Sequence, residues 1–375
     1  MKIGLLGPAH PFRGGIAQFL HNMADNLSEN HEIIVFNFKN QYPNFIFPGK
    51  DQYDNSDKSY NYPIYRLLTP YNPFTWKKTA DFIIKSNIEH LIIKFWIPFF
   101  CPSYIYIMNY LKIHSNIKIH LLCHNIIFHE YWLFSKYITN KMLLKAHNLI
   151  VLSENVYSKL PKMKTNILKL FHPIYNNFLE QNDRAASFEY FKLSEKPTVL
   201  FFGFIKNYKG LDVFLKSIPL IAAKQPNIRF VIAGEIYGRA KQYLNILNSF
   251  KNQYDIIFHD FYITTKIIPH YFNIADIVVV PYKTATQSGV IQLSYAFNKP
   301  VIASNILGLN DMIVENETGY LFETNNHFDL SEKVLYSLEN SHIDYKRNIM
   351  EFNKQFTWDK FTERLIKFIC NVTLV

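Results

Sequence analysis

Two lysines, Lys206 and Lys209, stand in the run FFGFIKNYKGLD between Gly203 and Gly210. Ammonium groups gathered where an apolar run stops and a helical pattern begins suit an anion, because the free amides and dipole of a helix N-terminus add to their charge. The glycines let the backbone approach a bound group. The pattern fits a diphosphate, and it also fits a plain strand, loop and helix with two solvated lysines. A second turn of this kind is LLGPAHPFRGGIAQF, where Arg13 precedes Gly14 and Gly15 at the start of another helical pattern. Arg13 would assist a phosphate or remain a solvated loop charge. Neither the dinucleotide fingerprint nor the P-loop signature is present, so neither NAD chemistry nor Walker-type hydrolysis follows. A third turn, VVVPYKTATQSGVIQ, places small and polar residues before Ser288, Gly289 and Val290, whose free amides favour an anion or sugar hydroxyls. A ligand held between two domains accounts for all three turns.

Other chemically able residues are fewer. Glu235 follows an apolar run in VIAGEIYG and is either a ligand contact or a polar loop residue. His124 closes the run IKIHLLCHN, with His129 and Glu130 nearby, and nothing else completes a metal-ligand set around them. No metal or cofactor is therefore expected.

These turns must be held by a scaffold, and the scaffold repeats. Apolar runs KIGLLG, EIIVFNF, HLIIKFW, IKIHLLCHN and NLIVLS occupy the first half, and TVLFFG, IRFVIAG, IIFHDF, IVVVPY and PVIAS the second. Continuous rather than alternating apolar runs suit strands covered on both faces. Helical rows lie between them: Ile16, Phe19, Leu20, Met23 and Leu27, then Leu211, Phe214, Leu215, Ile218 and Ile221. The fold class is α/β, with one parallel sheet in each half of a 375-residue chain. The alternation lapses between Pro173 and Lys196, which predicts a linker near residues 175 to 195. The Asn-, Tyr- and Pro-rich stretch from Asn40 to Pro63 reads as a long loop. A final amphipathic segment carries Trp358, Phe361, Leu365 and Phe368 or Ile369 on one side.

A net charge of +10 favours acidic partners: a phosphorylated metabolite, nucleic acid or an anionic membrane face. The aromatic residues, 17% of the chain, are spread through the strands and helices instead of interleaving with a basic stripe, so nucleic acid is not expected. Three scattered cysteines predict neither a disulfide framework nor a zinc site and fit a cytoplasmic protein. The opening MKIGLLGPAH is too short in apolar residues for a signal-peptide core, and the most apolar stretch is interrupted by Lys94, Pro98 and Pro102.

FFGFIKNYKGLDVFL, GPAHPFRGGIAQF, QSGVIQLSYAFNKPVIAS and GLNDMIVENETGYLF together resemble the family 4 retaining glycosyltransferases of bacteria, from residue 1 to about 370 and most strongly over 198 to 322. The resemblance implies the GT-B fold, two Rossmann-like domains whose parallel sheets face across a cleft. Its expected boundaries are 1–180 for the acceptor-side domain, 181–355 for the donor domain and 356–375 for a helix returning to the first. It implies hexosyl transfer with retention from a nucleotide sugar, a UDP- or GDP-sugar, without a metal, to a capsule, exopolysaccharide or lipopolysaccharide acceptor. Such an acceptor, if lipid-linked, would bring the protein to the inner face of the cytoplasmic membrane. By the same resemblance Lys206 and Lys209 hold the donor diphosphate, the loop of Gly14 and Gly15 closes over the donor, and His124 faces the sugar or acceptor. Many members carry two glutamates eight residues apart where this chain has Ala285 and Leu293. Thr286, Gln287, Ser288, Gly289 and Val290, with Gly203, Glu235 and Arg13, are then the expected donor contacts. Two alternatives remain: a nucleotide-sugar binding protein without transfer activity, and a GT-B nucleotide-sugar epimerase.

Overall fold

The computed structural model describes residues 1–43, 51–54, 59–126, 134–175, 183–238, 243–250, 252–340 and 342–370. They divide into two compact units, Met1–His172 with Thr357–Val375, and Pro173–Phe356. The chain thus leaves the first unit after His172 and returns to it at Thr357.

In the first unit the order is β1 (Lys2–Leu6), α1 (Gly15–Ser28), β2 (Glu32–Phe38), β3 (Ile64–Leu68), α2 (Pro73–Lys85), β4 (His90–Phe95), α3 (Cys101–His114), β5 (Lys118–Cys123), α4 (Ser135–Leu143), β6 (Asn148–Val151), α5 (Glu154–Tyr157) and β7 (Asn166–Lys169). The strands form one parallel sheet in the order β3-β2-β1-β4-β5-β6-β7. Alternate residues of each strand serve opposite layers. Leu5, Val35, Ile92 and Leu122 pack toward Phe19, Leu20 and Met23 of α1. Leu6, Phe36, Ile93 and Leu121 pack toward Ile83 of α2, Tyr104 and Met108 of α3, and Met142 of α4. Burial on both faces is why these strands read as unbroken apolar runs.

The second unit runs through α6 (Arg184–Phe191), β8 (Thr198–Phe202), α7 (Leu211–Lys224), β9 (Arg229–Ala233), α8 (Tyr243–Phe250), β10 (Ile256–His259), α9 (Ile268–Ile274), β11 (Ile277–Val280), α10 (Gly289–Ala296), β12 (Val301–Ser304), β13 (Gly319–Phe322), α11 (His327–Glu339) and α12 (Tyr345–Asn353). Its parallel sheet has the order β10-β9-β8-β11-β12-β13. One face packs Val199, Phe201, Phe230 and Ile302 against α7 and α11, and the other packs Leu200, Val231, Val278 and Ala303 against α9 and α10.

The stretch expected to be a linker is in part a helix. Asp183 caps α6 by accepting from the amide of Ala186, and Arg184 bonds the carbonyls of Asn273 and Ile274 and the carboxylate of Asp276. α6 therefore belongs to the second unit. Its short length and mixed composition concealed it, because the tertiary contacts of Arg184 do what local periodicity does not.

The final helix, α13 (Trp358–Ile369), is part of the first unit. Thr357 caps it through the amide of Lys360, and Trp358, Phe361 and Leu365 join the layer beside α1. Ile369 completes the buried row, with Phe368 only half-buried.

Candidate functional site

The ends of β8 and β11 are drawn together by backbone. The amide of Lys283 bonds the carbonyl of Tyr208 at 2.7 Å, and the Lys283 ammonium meets the carboxylate of Asp212, in the first turn of α7, at 2.7 Å. Gly210 makes this closeness possible. Its φ is 69°, and a Cβ there would fall 1.8 Å from the carbonyl oxygen of Pro281. Gly203 ends β8 with φ 93°, and a Cβ on it would sit 3.1 Å from Lys209 Nζ and 3.6 Å from Val290 Cγ2. Thus a bare stretch of backbone, an ammonium and the first turn of α10 meet at one point.

The residues around that point are arranged for an anion. Gly210 and Ser288 are the N-caps of α7 and α10, and neither helix start receives a side-chain hydrogen bond from its cap. Their first amides stay available to an external acceptor. Burial lowers the Lys209 ammonium below its ordinary pKa, and it lies 5.2 Å from the centre of the Tyr282 ring. Burial also pushes the Tyr282 phenol up to about 12, with the Ser288 hydroxyl, 3.5 Å away, acting in the opposite sense. Lys206 stands 5.4 Å from the ring centre of Tyr237. Of the turn residues, Ser288 and Val290 are buried, whereas Thr286, Gln287 and Gly289 are half-buried. A Cβ on Gly308 would lie 2.5 Å from the carbonyl oxygen of Thr286, so this turn rests on the loop after β12.

Glu235 lies just beyond the end of β9 and is 1% exposed. Its carbonyl accepts from the amide of Ile205, which ties the loop after β9 to the loop of Lys206. Phe204, Tyr237 and Tyr262 form an aromatic group beside it, with centroids 4.6 Å and 5.9 Å from Phe204. Sequence reasoning passed over these aromatics and the Asp212–Lys283 pair. Tyr282 and Lys283 directly follow Pro281 at a strand end, the signal that marked the other candidates.

In the first unit Gly14, with φ 102°, is the N-cap of α1, and its start has no side-chain cap and no acidic residue. The loop before it is held from two sides. Asn37, fully buried, accepts from the amide of Ala9 and donates to the carbonyls of Ala9 and His10. The amide of Arg13 bonds the carbonyl of Gln52, and Phe12 bridges Tyr53. Residues 51–54 of the expected long loop therefore brace Arg13, Gly14 and Gly15. His124 follows β5, its amide bonded to the carbonyl of Phe95, and is 3% exposed. Burial, then the Lys94 and His172 charges, hold it well below the usual histidine pKa. His129 and Glu130 lie outside the described residues. Among the described residues no cluster of three His, Cys, Asp or Glu side chains is placed to hold a metal.

Over residues 196–340 the chain matches the family described as Glycosyl transferases group 1. An uncharacterized glycosyltransferase of Methanocaldococcus jannaschii is 22% identical over 371 residues, covering 96% of this chain and 95% of that one. Among solved structures, sucrose-phosphate synthase from Thermosynechococcus elongatus aligns with a TM-score of 0.78 at 16% identity, over 99% of both chains. HepE from Anabaena in complex with UDP-glucose aligns with a TM-score of 0.76 at 13% identity, over 99% of this chain and 100% of that one. The two parallel sheets with their helices and these neighbours give the fold as GT-B, two Rossmann-like domains. The match to Glycosyl transferases group 1 falls within the second unit, and the comparisons support glycosyltransferase activity for the chain.

Proposed function

We propose that the protein moves a hexose, with retained anomeric configuration, from a UDP- or GDP-sugar to a surface-glycan acceptor, and that it does so without a metal ion. The observation that carries this reading is the meeting of Gly203, Lys209 and the uncapped start of α10. It is suited to the one demand the reaction makes: as the anomeric C–O bond breaks, negative charge grows on the departing diphosphate. Preorganised ammonium and amide groups stabilise that charge, each contributing a few kcal/mol of barrier lowering, on the order of 2.7–4 kcal/mol for one donor. The acceptor hydroxyl forms the new glycosidic bond, and its proton passes to the leaving phosphate.

In this reading Lys206 and Lys209 hold the diphosphate. Gly203, Glu235, Thr286, Gln287, Ser288, Gly289 and Val290 of the second unit, and Arg13, Gly14 and Gly15 of the first, contact the donor, and His124 faces the sugar. The bound UDP-glucose of the Anabaena HepE structure supports a nucleotide sugar as donor. Titration of UDP, GDP, ADP and CMP by calorimetry, with chelator present, is expected to give binding of UDP or GDP and not of the others. Binding that requires added divalent metal overturns the metal-free part of the reading.

The acceptor is proposed to be lipid-linked at an anionic membrane face in the cytoplasm. The net charge of +10 supports this, as do α4 and its two flanking residues, where Phe134, Tyr137 and Leu144 are 78%, 66% and 61% exposed and Lys136 and Lys141 lie between them in sequence. Among the described residues no helix is long and apolar enough to cross a membrane. Sedimentation with vesicles containing anionic phospholipid is expected at low salt and lost at high salt, since exposed charges are screened. Equal association with neutral vesicles counts against it. A second reading, donor binding without transfer, is favoured by Ala285 and Leu293 at places where many similar enzymes carry glutamate. It is separated by product: it predicts bound donor and no glycoside with any acceptor or with water.

A further inference from the structure

The penultimate residue of β4 is an amine in the wrong place for a sheet core. Lys94 is fully buried, and its Nζ has no hydrogen-bond partner among the described residues. The ammonium lies 3.7 Å from the centre of the Phe19 ring, on α1. The Lys94 Cβ abuts Gly7, just beyond β1, where a Cβ would come within 3.0 Å of it. Tyr104 of α3 donates its hydroxyl proton to the Lys94 carbonyl, so the backbone is fixed while the amine is left unbonded.

Phe19 is shared. Its ring meets His124 edge-on at 4.6 Å, His172 at 5.0 Å and Trp358 of α13 at 5.1 Å, and the two imidazoles are 6.2 Å apart. From the elements packed here the titratable groups are therefore Lys94, His124 and His172. All are bases, each is nine-tenths buried or more, and after burial the charges that act on His124 are those of Lys94 and His172. An unbonded buried amine is costly to a fold, and functional sites are where such costs are found.

We propose that Lys94 is a positioning residue that acts on His124 through the Phe19 ring they share, so that the imidazole meets its ligand as a neutral hydrogen-bonding group. This rests on the reading above that His124 faces the sugar. The physics is that of coupled bases in one dry pocket. A proton entering the pocket goes to the more basic amine, and once there it repels a second proton from the imidazole. Either way the ring stays uncharged beside a reacting centre that itself becomes positive. Phe19, held face-on by the amine, also fixes the plane of the ring.

The test uses Lys94→Met, which keeps the length and apolar stem and removes the amine, in the full chain. Histidine-ring NMR, with His124 assigned through His124→Gln, follows its protonation. His124 of the unsubstituted protein is expected to stay neutral through the mildly acidic range, and in Lys94→Met its titration should move up by about one pH unit or more, the size of a neighbouring-charge effect. An unmoved titration overturns the proposal. Calorimetry then compares UDP-glucose, or GDP-mannose if that is the sugar nucleotide bound, with the free diphosphate. The extra affinity due to the sugar is expected to fall about threefold or more as pH drops through the His124 titration midpoint found for Lys94→Met, and to stay level over the same span in the unsubstituted protein, as the fraction of neutral ring dictates. A level profile in the variant, despite a shifted titration, overturns the positioning role. If the unsubstituted protein binds no sugar nucleotide, the reading of function fails first and the proposal with it. Thermal stability supplies the remaining check. Lys94→Met should melt no lower than the unsubstituted protein, whereas a marked loss would make the lysine a packing residue only. Should Lys94→Met fail to fold, Lys94→Gln, which keeps a polar tip without the basic amine, carries the same measurements.

Discussion

Lys206→Ala/Lys209→Ala is expected to lose nucleoside diphosphate binding by about 100-fold or more while the protein stays folded. Hydrogen bonds to charged groups are worth about 1.5–3 kcal/mol each, so Lys209→Ala alone should weaken binding by about 10- to 150-fold. The two lysines are unequal. Lys209 stands beside the bare backbone of Gly203 and the start of α10, whereas Lys206 stands over Tyr237, so Lys206→Ala should show the smaller effect and the stronger salt dependence. The pH dependence has a definite sign. Burial lowers the Lys209 pKa in the free protein, and the anion binds the protonated form, so affinity falls as pH rises through that lowered value, earlier than an ordinary lysine would allow. Calorimetry from neutral to alkaline pH checks it, and an unchanged affinity in Lys209→Ala removes the central claim about this site.

Gly210→Ala should be a severely damaging single methyl in the second unit. The residue has φ 69°, and the added carbon falls 1.8 Å from the carbonyl oxygen of Pro281, a backbone atom that cannot rotate away. An alanine in the left-handed region costs about 1–2 kcal/mol, and overpacking adds about 1–3 kcal/mol. Destabilisation of about 3 kcal/mol would lower the melting temperature of the unit by about 6–12 °C. Gly238→Ala is the matched control: its φ is 63° and no atom of the described residues lies within 4 Å of the added carbon, so only the conformational cost applies. Equal melting temperatures for the two variants would mean that β11 moves aside readily, and the tight joining of the two loops would not stand.

Much of the fold was legible because buried parallel strands leave long apolar runs. The three strands missing from that reading, β3, β7 and β13, all lie at sheet edges. β3 shows why: Tyr65 and Arg66 face solvent, so IYRLL has no continuous apolar signal and pairs with β2 on one side only. β13 has buried side chains, but four residues entered through a glycine are too few to stand out. The candidate site was legible where chemistry sits at a strand end followed by glycine, as with Lys206, Lys209 and Gly210. It was illegible where the partner comes from a distant segment. Nothing in KTATQSG says that its first residue, Lys283, meets Asp212, 71 residues earlier. Lys94 was visible as a charge in HLIIKFW, yet only its burial against Phe19 distinguishes it from a lysine at a strand end in solvent.

α13 has a consequence for the order in which the chain matures. The first unit begins with residue 1 but fills the layer beside α1 only with Trp358, Phe361, Leu365 and Ile369. The second unit, Pro173–Phe356, is continuous and is synthesised in full before those residues are added. The usual sequence, in which the N-terminal domain folds first during synthesis, is thus reversed in its last step. Until translation passes residue 369, Phe19 and Leu20 lack their covering helix, and the nascent first unit carries an apolar strip that chaperones or proteases meet before the finished enzyme exists.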